Sequence, residues 1–267
     1  MVVEEPKKKS NGLVIVVIIL LLICLGMGAF IYLNKDKIFI KQEQETTKTE
    51  EKETTTQQKI EYNKDGYFIQ DLMDKIIYFT GGNTQEYQVY AKDKVTVEDL
   101  TDSYKNTLAI KQIGNDESQF LYKEDLKEGS IKAFGKNIYS TYPEKFEAFC
   151  NIYTFNGTYY EYENPGCGGI GPERYTEITK IDSDDNHIYV YQKAGFYGDK
   201  GIYKNVSIKK TNGYNEYEVT DFIKEDDFPS TVKMSEILDQ LNEYKFTFTY
   251  DETNNIYYFE SVEKVNN

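Results

Sequence analysis

The chain has 267 residues, with 45 Asp and Glu against 31 Lys and Arg, for a formal net charge of -14. That balance excludes the concentrated basic footprint by which proteins grip phosphate backbones, so no nucleic-acid partner is expected. Hydrophobic residues make up 39%, part of which sits in one apolar run, so the remaining core has to be built largely from 25 Tyr and 15 Phe.

Residues 1–12 form a short polar tail carrying Lys7, Lys8 and Lys9. Leu13 to Leu33 follows without a single charge. Twenty-one residues at the helical rise span about 30 Å, the thickness of a bilayer's hydrocarbon core. The run continues through Gly28, Phe30 and Tyr32 with no small-x-small cleavage pattern, which reads as an uncleaved transmembrane anchor. Lys35, Lys37 and Lys41 nearly balance the lysines on the other side. The clustered tail lysines favour an N-inside orientation with the rest exported, and a cytoplasmic domain is the alternative. Leu21-Leu22-Ile23-Cys24 distantly resembles a lipobox, but Ile23 is too large for the position before a lipidated Cys, so Cys24 reads as an inert apolar residue.

Residues 34–59 form a polar stalk, and from Gln42 to Lys59 no aliphatic or aromatic residue occurs. Such a segment cannot bury enough apolar surface to offset its ordering entropy. As a coil of 18 residues it would extend about 23 Å, and a solvated charged helix is the alternative. Nine of the lysines and eight of the acids precede residue 60, which leaves 22 basic and 37 acidic residues in the folded part, 60–267. Arg174 is the only arginine, and Asn, Ile and Tyr are abundant, a usage that AT-rich codons of a low-GC bacterium produce.

In the folded part, Ile69, Leu72, Met73, Ile76 and Phe79 recur at helical spacing between Asp65, the expected cap, and Thr80. A second helix is expected from Thr96, paired with Asp99 as a capping box, with Val97, Leu100, Tyr104 and Leu108 on one face. A third runs through Leu121, Leu126, Ile131 and Phe134, although Gly129 costs about 1 kcal/mol relative to Ala in a helix interior.

After Tyr142 the pattern turns to period two. Phe149–Phe155 and Thr158–Glu163 flank Asn156-Gly157, the pair a type I′ hairpin turn prefers. Tyr175–Ile181 and His187–Lys193 form a second hairpin across 182–186. A third has Phe246, Phe248 and Tyr250 on one face, followed by Ile256–Val262. Strands near Ile202–Ile208 and Glu216–Ile223 and a short helix near Met234–Leu241 complete an α+β fold, with helices packed on an antiparallel, hairpin-rich sheet. A division near residue 136 into helical and sheet parts is open.

The chemistry is sparse. Cys150 and Cys167 are the only cysteines outside the apolar run. Cys150 faces about residue 163 in the two-residue turn register, so an exported domain would bridge the pair, a bond worth about 3 kcal/mol. Residues 166–171 match G-x-G-x-x-G, but Pro165, Pro172 and the flanking hairpins deny it a βαβ context. Asp182, Asp184 and Asn186 have the alternate spacing of a calcium loop, yet His187 and Lys193 stand where Gly and Glu are required, which leaves a solvated turn. No cofactor or metal motif is present, and His187, the only histidine, would have to serve any triad alone. Tyr153, Tyr160, Tyr162, Tyr189 and Tyr191, together with Tyr159, are candidates to line a ligand groove, or are simply the aromatics available for the core. The expectation is therefore a membrane-anchored, extracytoplasmic, non-catalytic domain that binds a protein, peptide or envelope component. The alternative is a carboxylate-based hydrolase of envelope glycans, whose acid pair sequence spacing cannot select.

Overall fold

A computed structural model describes residues 62–78, 85–114, 120–149, 151–163, 174–211, 214–226 and 231–265. All of them belong to one unit, 58–267. The expected anchor at 13–33, the stalk, Cys24, Phe79, Thr80, Cys150, Cys167 and the glycine-rich stretch 166–171 lie outside the described residues. No helix among the described residues is long and apolar enough to cross a membrane.

The fold is α+β: an antiparallel curled sheet with a few helices. Helix α1, Tyr67–Asp74, buries Ile69, Leu72 and Met73. It is shorter than the periodicity predicts at both ends. Gly66, not Asp65, is the N-cap, and the helix stops at Asp74 although Ile76 is also fully buried. Tyr104 supplies the reason, since its hydroxyl donates to Ile76 O (2.7 Å) from a neighbouring helix and so takes the carbonyl out of the helical ladder. The Tyr104 hydroxyl oxygen in turn accepts from Tyr78 N at 3.3 Å. Tyr104→Phe should therefore cost about 1–2 kcal/mol, seen as a lower denaturant midpoint at unchanged slope.

The Thr96–Asp99 capping pair forms, with Thr96 N and Oγ1 both donating to Asp99 Oδ2 at 3.0 Å, but it closes only the single 3-10 turn Val97–Asp99. Helix α2 begins later, at Asp102, and runs to Lys111. Thr101 is its cap, accepting from Tyr104 N, and Thr101 is itself held by Gln88, whose amide oxygen accepts from Thr101 N at 2.7 Å. A long-range side chain thus decides between two competing local caps. Helix α3, Lys123–Phe134, ends at Gly135, which adopts the left-handed conformation (φ +68°) of a C-terminal cap. A further 3-10 segment, Gln85–Tyr90, has no periodic signature, and five of its six residues are buried.

The large sheet contains β1 (Lys94–Thr96), β5 (Arg174–Ser183), β6 (His187–Gly198), β7 (Gly201–Thr211), β8 (Tyr214–Glu225), β9 (Asn242–Asp251) and β10 (Ile256–Val265). Its order is β1-β10-β9-β6-β7-β8, with β5 on β6 as well. The long strand β6 is the pivot: His187–Ala194 pairs with β9, Phe196–Gly198 pairs with β7, and β5 pairs along it over Arg174–Ser183. Register shifts interrupt the β5–β6, β7–β8 and β9–β10 pairings, and such bulges increase local twist and bend the sheet. The inward face carries Ile188, Val190, Phe196, Phe246, Phe248 and Phe259, on which α1, the 85–90 segment and Tyr104 and Leu108 of α2 pack. Each such side chain contributes about 1.5–3 kcal/mol by leaving water.

Strands β2 (Lys145–Ala148), β3 (Asn151–Phe155) and β4 (Tyr160–Glu163) form a separate three-stranded sheet. With Ile110 of α2 and Leu126 of α3 they enclose a second core. Helix α3, before residue 136, also contacts β10, after it. The β3–β4 hairpin is present, but its turn is displaced by one residue. Asn156 N donates to Tyr159 O, so Gly157 (φ +103°) and Thr158 sit at the centre. Asn156 Oδ1 accepts from the amides of Thr158 and Tyr159, taking the place of the backbone carbonyl of a type I′ turn. Glu163 consequently faces Ile152, two positions from the place the expected turn gives it. The other two predicted hairpins, β5–β6 and β9–β10, and the strands β7 and β8 form where the alternation puts them. A short helix α4, Met234–Ile237, continued by a 3-10 turn to Gln240, precedes β9.

Candidate functional site

The five tyrosines singled out from sequence lie on two different sheets. Tyr153 and Tyr160 are fully buried in the second core, stacking on or abutting Phe146 at 4.9 and 5.0 Å, and Tyr162 rests against Tyr153. Tyr160 donates its hydroxyl to Pro143 O (2.8 Å), a structural bond. Tyr189 and Tyr191 stand on the opposite, partly exposed face of β6, under Lys245 and Lys180 respectively. Tyr159 packs edge-on against Phe120 near the hairpin tip. The structure brings the five together in no common groove.

At the β5–β6 turn, Asp184 is committed inward. Its Oδ1 accepts from the amides of Asn186 and His187 and lies 2.8 Å from His187 Nδ1, while Oδ2 accepts from Tyr189 Oη at 2.5 Å. These donors, Tyr189 foremost, hold its carboxyl well below the usual range. Among the described residues no group of three or more His, Cys, Asp or Glu side chains is placed to hold a metal ion.

Among the described residues three clefts open to solvent, one of them, about 350 Å3, between α3 and the β9–β10 turn. Another, about 420 Å3, lies between α2 and residues 138–147 and is lined by Asn106, whose amide donates to Glu147 O and whose oxygen accepts from Tyr139 Oη at 2.8 Å. Its acids are Asp102, which pairs with Lys105 (2.7 Å), and Glu147.

The third cleft, about 360 Å3, lies between α1 and the β5–β6 pair. Met73, Ile77, Tyr78 and Ile178 give it apolar walls, and Arg174, Lys111, Asp74, Gln70 and Gln192 supply the polar groups. Local chemistry fixes each wall. Gln112 ties α2 to α1 by donating to Asp74 O and accepting from Lys75 Nζ. Lys111 lies 3.1 Å from Asp74 and 4.6 Å above the Tyr78 ring, so its charge is locally balanced. Gln192, opposite Ile178 in the β5–β6 register, is held by Tyr90, which donates its hydroxyl to the amide oxygen at 2.7 Å.

Behind Arg174 is Glu86, from the buried 3-10 segment. Its side chain is 1% exposed, and Oε1 lies 3.7 Å from an Arg174 guanidinium nitrogen, an ion pair without hydrogen-bond geometry. Neither carboxyl oxygen has a side-chain hydrogen-bond partner among the described residues. Burial pushes the Glu86 pKa up to about 7, and the residue's own backbone amide, followed by the Arg174 charge, opposes that rise in part. Asp226, also buried, shows the ordinary solution: its carboxylate accepts from Thr231 N, Thr231 Oγ1 and Tyr175 Oη. Glu86 is surrounded instead by Tyr87, Tyr90, Tyr104 and Tyr217, whose hydroxyls burial holds in the neutral form, Tyr217 at about 12 and the others higher.

Sequence reasoning missed this pair. Glu86 lies in a segment without period, and its one signal was indirect: Arg174 is the sole guanidinium in a chain that otherwise uses lysine, and a guanidinium is the cation that tolerates partial burial. Comparison with known proteins finds no family model, no curated protein and no solved structure that matches this chain.

Proposed function

We propose that the protein is a membrane-tethered, extracytoplasmic binding domain without catalytic activity, and that the Arg174 cleft is its ligand site. The anchor-like run at 13–33 and the polar stalk support the tether. The observation that carries the site is a cleft combining apolar walls with one largely buried guanidinium, the combination of small-ligand pockets at the lower end of their volume range. The alternative hydrolase needs two carboxyls on either side of a reacting bond. Glu86 has the protonation poise of an acid catalyst, yet its oxygens are sealed from the cleft by burial, and Asp74 is held by Lys111. Binding is the better-supported function.

Two measurements test the proposal. On intact cells, Cys150 and Cys167 should react with an impermeant thiol reagent only after external reduction, as expected of a bridged pair in an exported domain. Reaction only after lysis, without reductant, would place the domain in the cytoplasm. For the site, the full-length protein purified in detergent should bind a small apolar anion such as 1-anilinonaphthalene-8-sulfonate. Arg174→Gln and the cleft-filling Ile178→Trp should each weaken that binding by about tenfold or more. Unchanged affinity in both variants would remove the cleft from consideration.

A further inference from the structure

We propose that Asn156, at the tip of the β3–β4 hairpin, is a site of self-modification. Its carboxamide closes on the Gly157 amide to a succinimide, releases ammonia, and is hydrolysed to aspartate and isoaspartate, at a rate that Glu161 holds down while the hairpin is closed. Water is the only co-reactant, and no part of the Arg174 cleft takes part.

Residue type sets the chemistry. Cyclisation requires the backbone nitrogen after an Asn to reach its Cγ, and Gly157, without a Cβ, leaves that approach open. Asn156 and Gly157 are both exposed, so water reaches them. The Gly157 nitrogen gives up its proton and forms a bond to Asn156 Cγ, and the Cγ–Nδ2 bond breaks as Nδ2 takes a proton and leaves as ammonia. Water then opens the ring. Addition at Cγ restores the original main chain with an aspartate, and addition at the main-chain carbonyl leaves the chain running through Cγ, an isoaspartate.

The fold grips the carboxamide at both ends. Oδ1 accepts from Thr158 N at 3.0 Å and from Tyr159 N at 3.1 Å, and Nδ2 donates to Glu161 Oε1 on β4 at 2.8 Å. Two amides aimed at Oδ1 stabilise charge on that oxygen and by themselves would assist ring closure. Glu161 opposes it. Its carboxylate is an acceptor only, so it holds Nδ2 in place and cannot supply the proton with which the amine leaves. Cyclisation therefore waits for local opening of the hairpin. The products alter the turn in different ways. Aspartate keeps an acceptor for the two amides but sets a negative charge beside Glu161 where a hydrogen bond stood. Isoaspartate adds a carbon to the main chain between Asn156 N and Tyr159 O, which breaks the 3.0 Å bond that closes the turn. Tyr160, the next residue, pairs its main chain with Leu121 and places its ring in the second core, so the strain reaches that core.

For the test, full-length protein in detergent is aged at pH 8 and 37 °C, in buffer and in 8 M urea. The peptide holding Asn156 is followed by mass spectrometry for succinimide and its hydrolysis products, and isoaspartate is counted by isoaspartyl methyltransferase labelling. Two further Asn-Gly pairs, Asn11-Gly12 and Asn212-Gly213, check the urea rate within the same sample. Native Asn156 should convert about tenfold or more slowly than in urea, and Glu161→Ala should close most of that gap. Glu161→Gln, which keeps an oxygen acceptor for Nδ2, should stay near the parent. Circular dichroism of both variants assigns a faster rate to the turn and not to loss of fold. Equal parent rates in buffer and urea, or a folded Glu161→Ala that reacts no faster than the parent, overturns the restraint. Native parent without product at Asn156 after ten times the urea half-life overturns the modification itself.

Discussion

Glu86→Gln should stabilise the folded domain by about 3 kcal/mol at pH 8 and by about 1 kcal/mol or less at pH 5. The carboxyl has an ordinary pKa of 4.5 and one of about 7 in the fold, so between those values the native state holds a proton that the unfolded chain releases. Stability from this group is present in full below pH 4.5 and is lost as the pH rises through 7. Replacing the carboxyl by an amide keeps the shape and removes the ionisation, so the loss disappears. Urea unfolding of the parent and the variant at pH 5, 6, 7 and 8 reads the difference directly, and subtraction cancels every other titrating group. The pair with Arg174 gives the competing possibility. If the ion pair contributed more than desolvation costs, the variant would be the less stable protein at pH 8. The 3.7 Å separation without hydrogen-bond geometry argues against that, because Coulomb attraction alone rarely offsets the removal of two charges from water.

Gly129→Ala should destabilise the domain by about 2 kcal/mol or more, against the helix-propensity gain of about 1 kcal/mol that Ala brings in isolation. A Cβ at Gly129 would stand 1.9 Å from Ala109 O and 2.7 Å from its carbonyl carbon. Both are backbone atoms of α2 and cannot be moved by a rotamer change, so the helices would have to part. Their separation would open the second core, where Ile110 and Leu126 pack with Phe146 and Tyr160. Thermal unfolding checks the sign: a higher Tm in Gly129→Ala would show that the crossing can relax. Gly129→Val, with two further carbons at the same contact, should fail to reach the native fold.

These two residues also show where sequence reading stopped. Gly129 enters the sequence as a weak point of a helix, since its cost is a local property. Its use, the close crossing of α2 and α3, belongs to a pair of elements. Glu86 looks like any of 37 acids in the folded part, because only burial distinguishes it. The capping pair Thr96–Asp99 was correctly legible as a pair, yet Gln88, thirteen residues before Thr101, moved the helix start. At the β3–β4 hairpin the backbone preference of Asn156 marks a turn, whereas its side chain sets the register.

Periodic, local signals suffice for α1 and α3 in outline, the three hairpins, strands β7 and β8, and hence the α+β class. Alternation and 3.6-residue spacing report which face of an element meets the core, and that information survives without knowing the partner. The order β1-β10-β9-β6-β7-β8, the division of the tyrosines between two sheets, and the meeting of Arg174 with Glu86 across 88 positions of chain arise only in the folded molecule. Those are contacts between distant segments, selected by desolvation and shape once the sheet has curled, and no spacing along the chain encodes them.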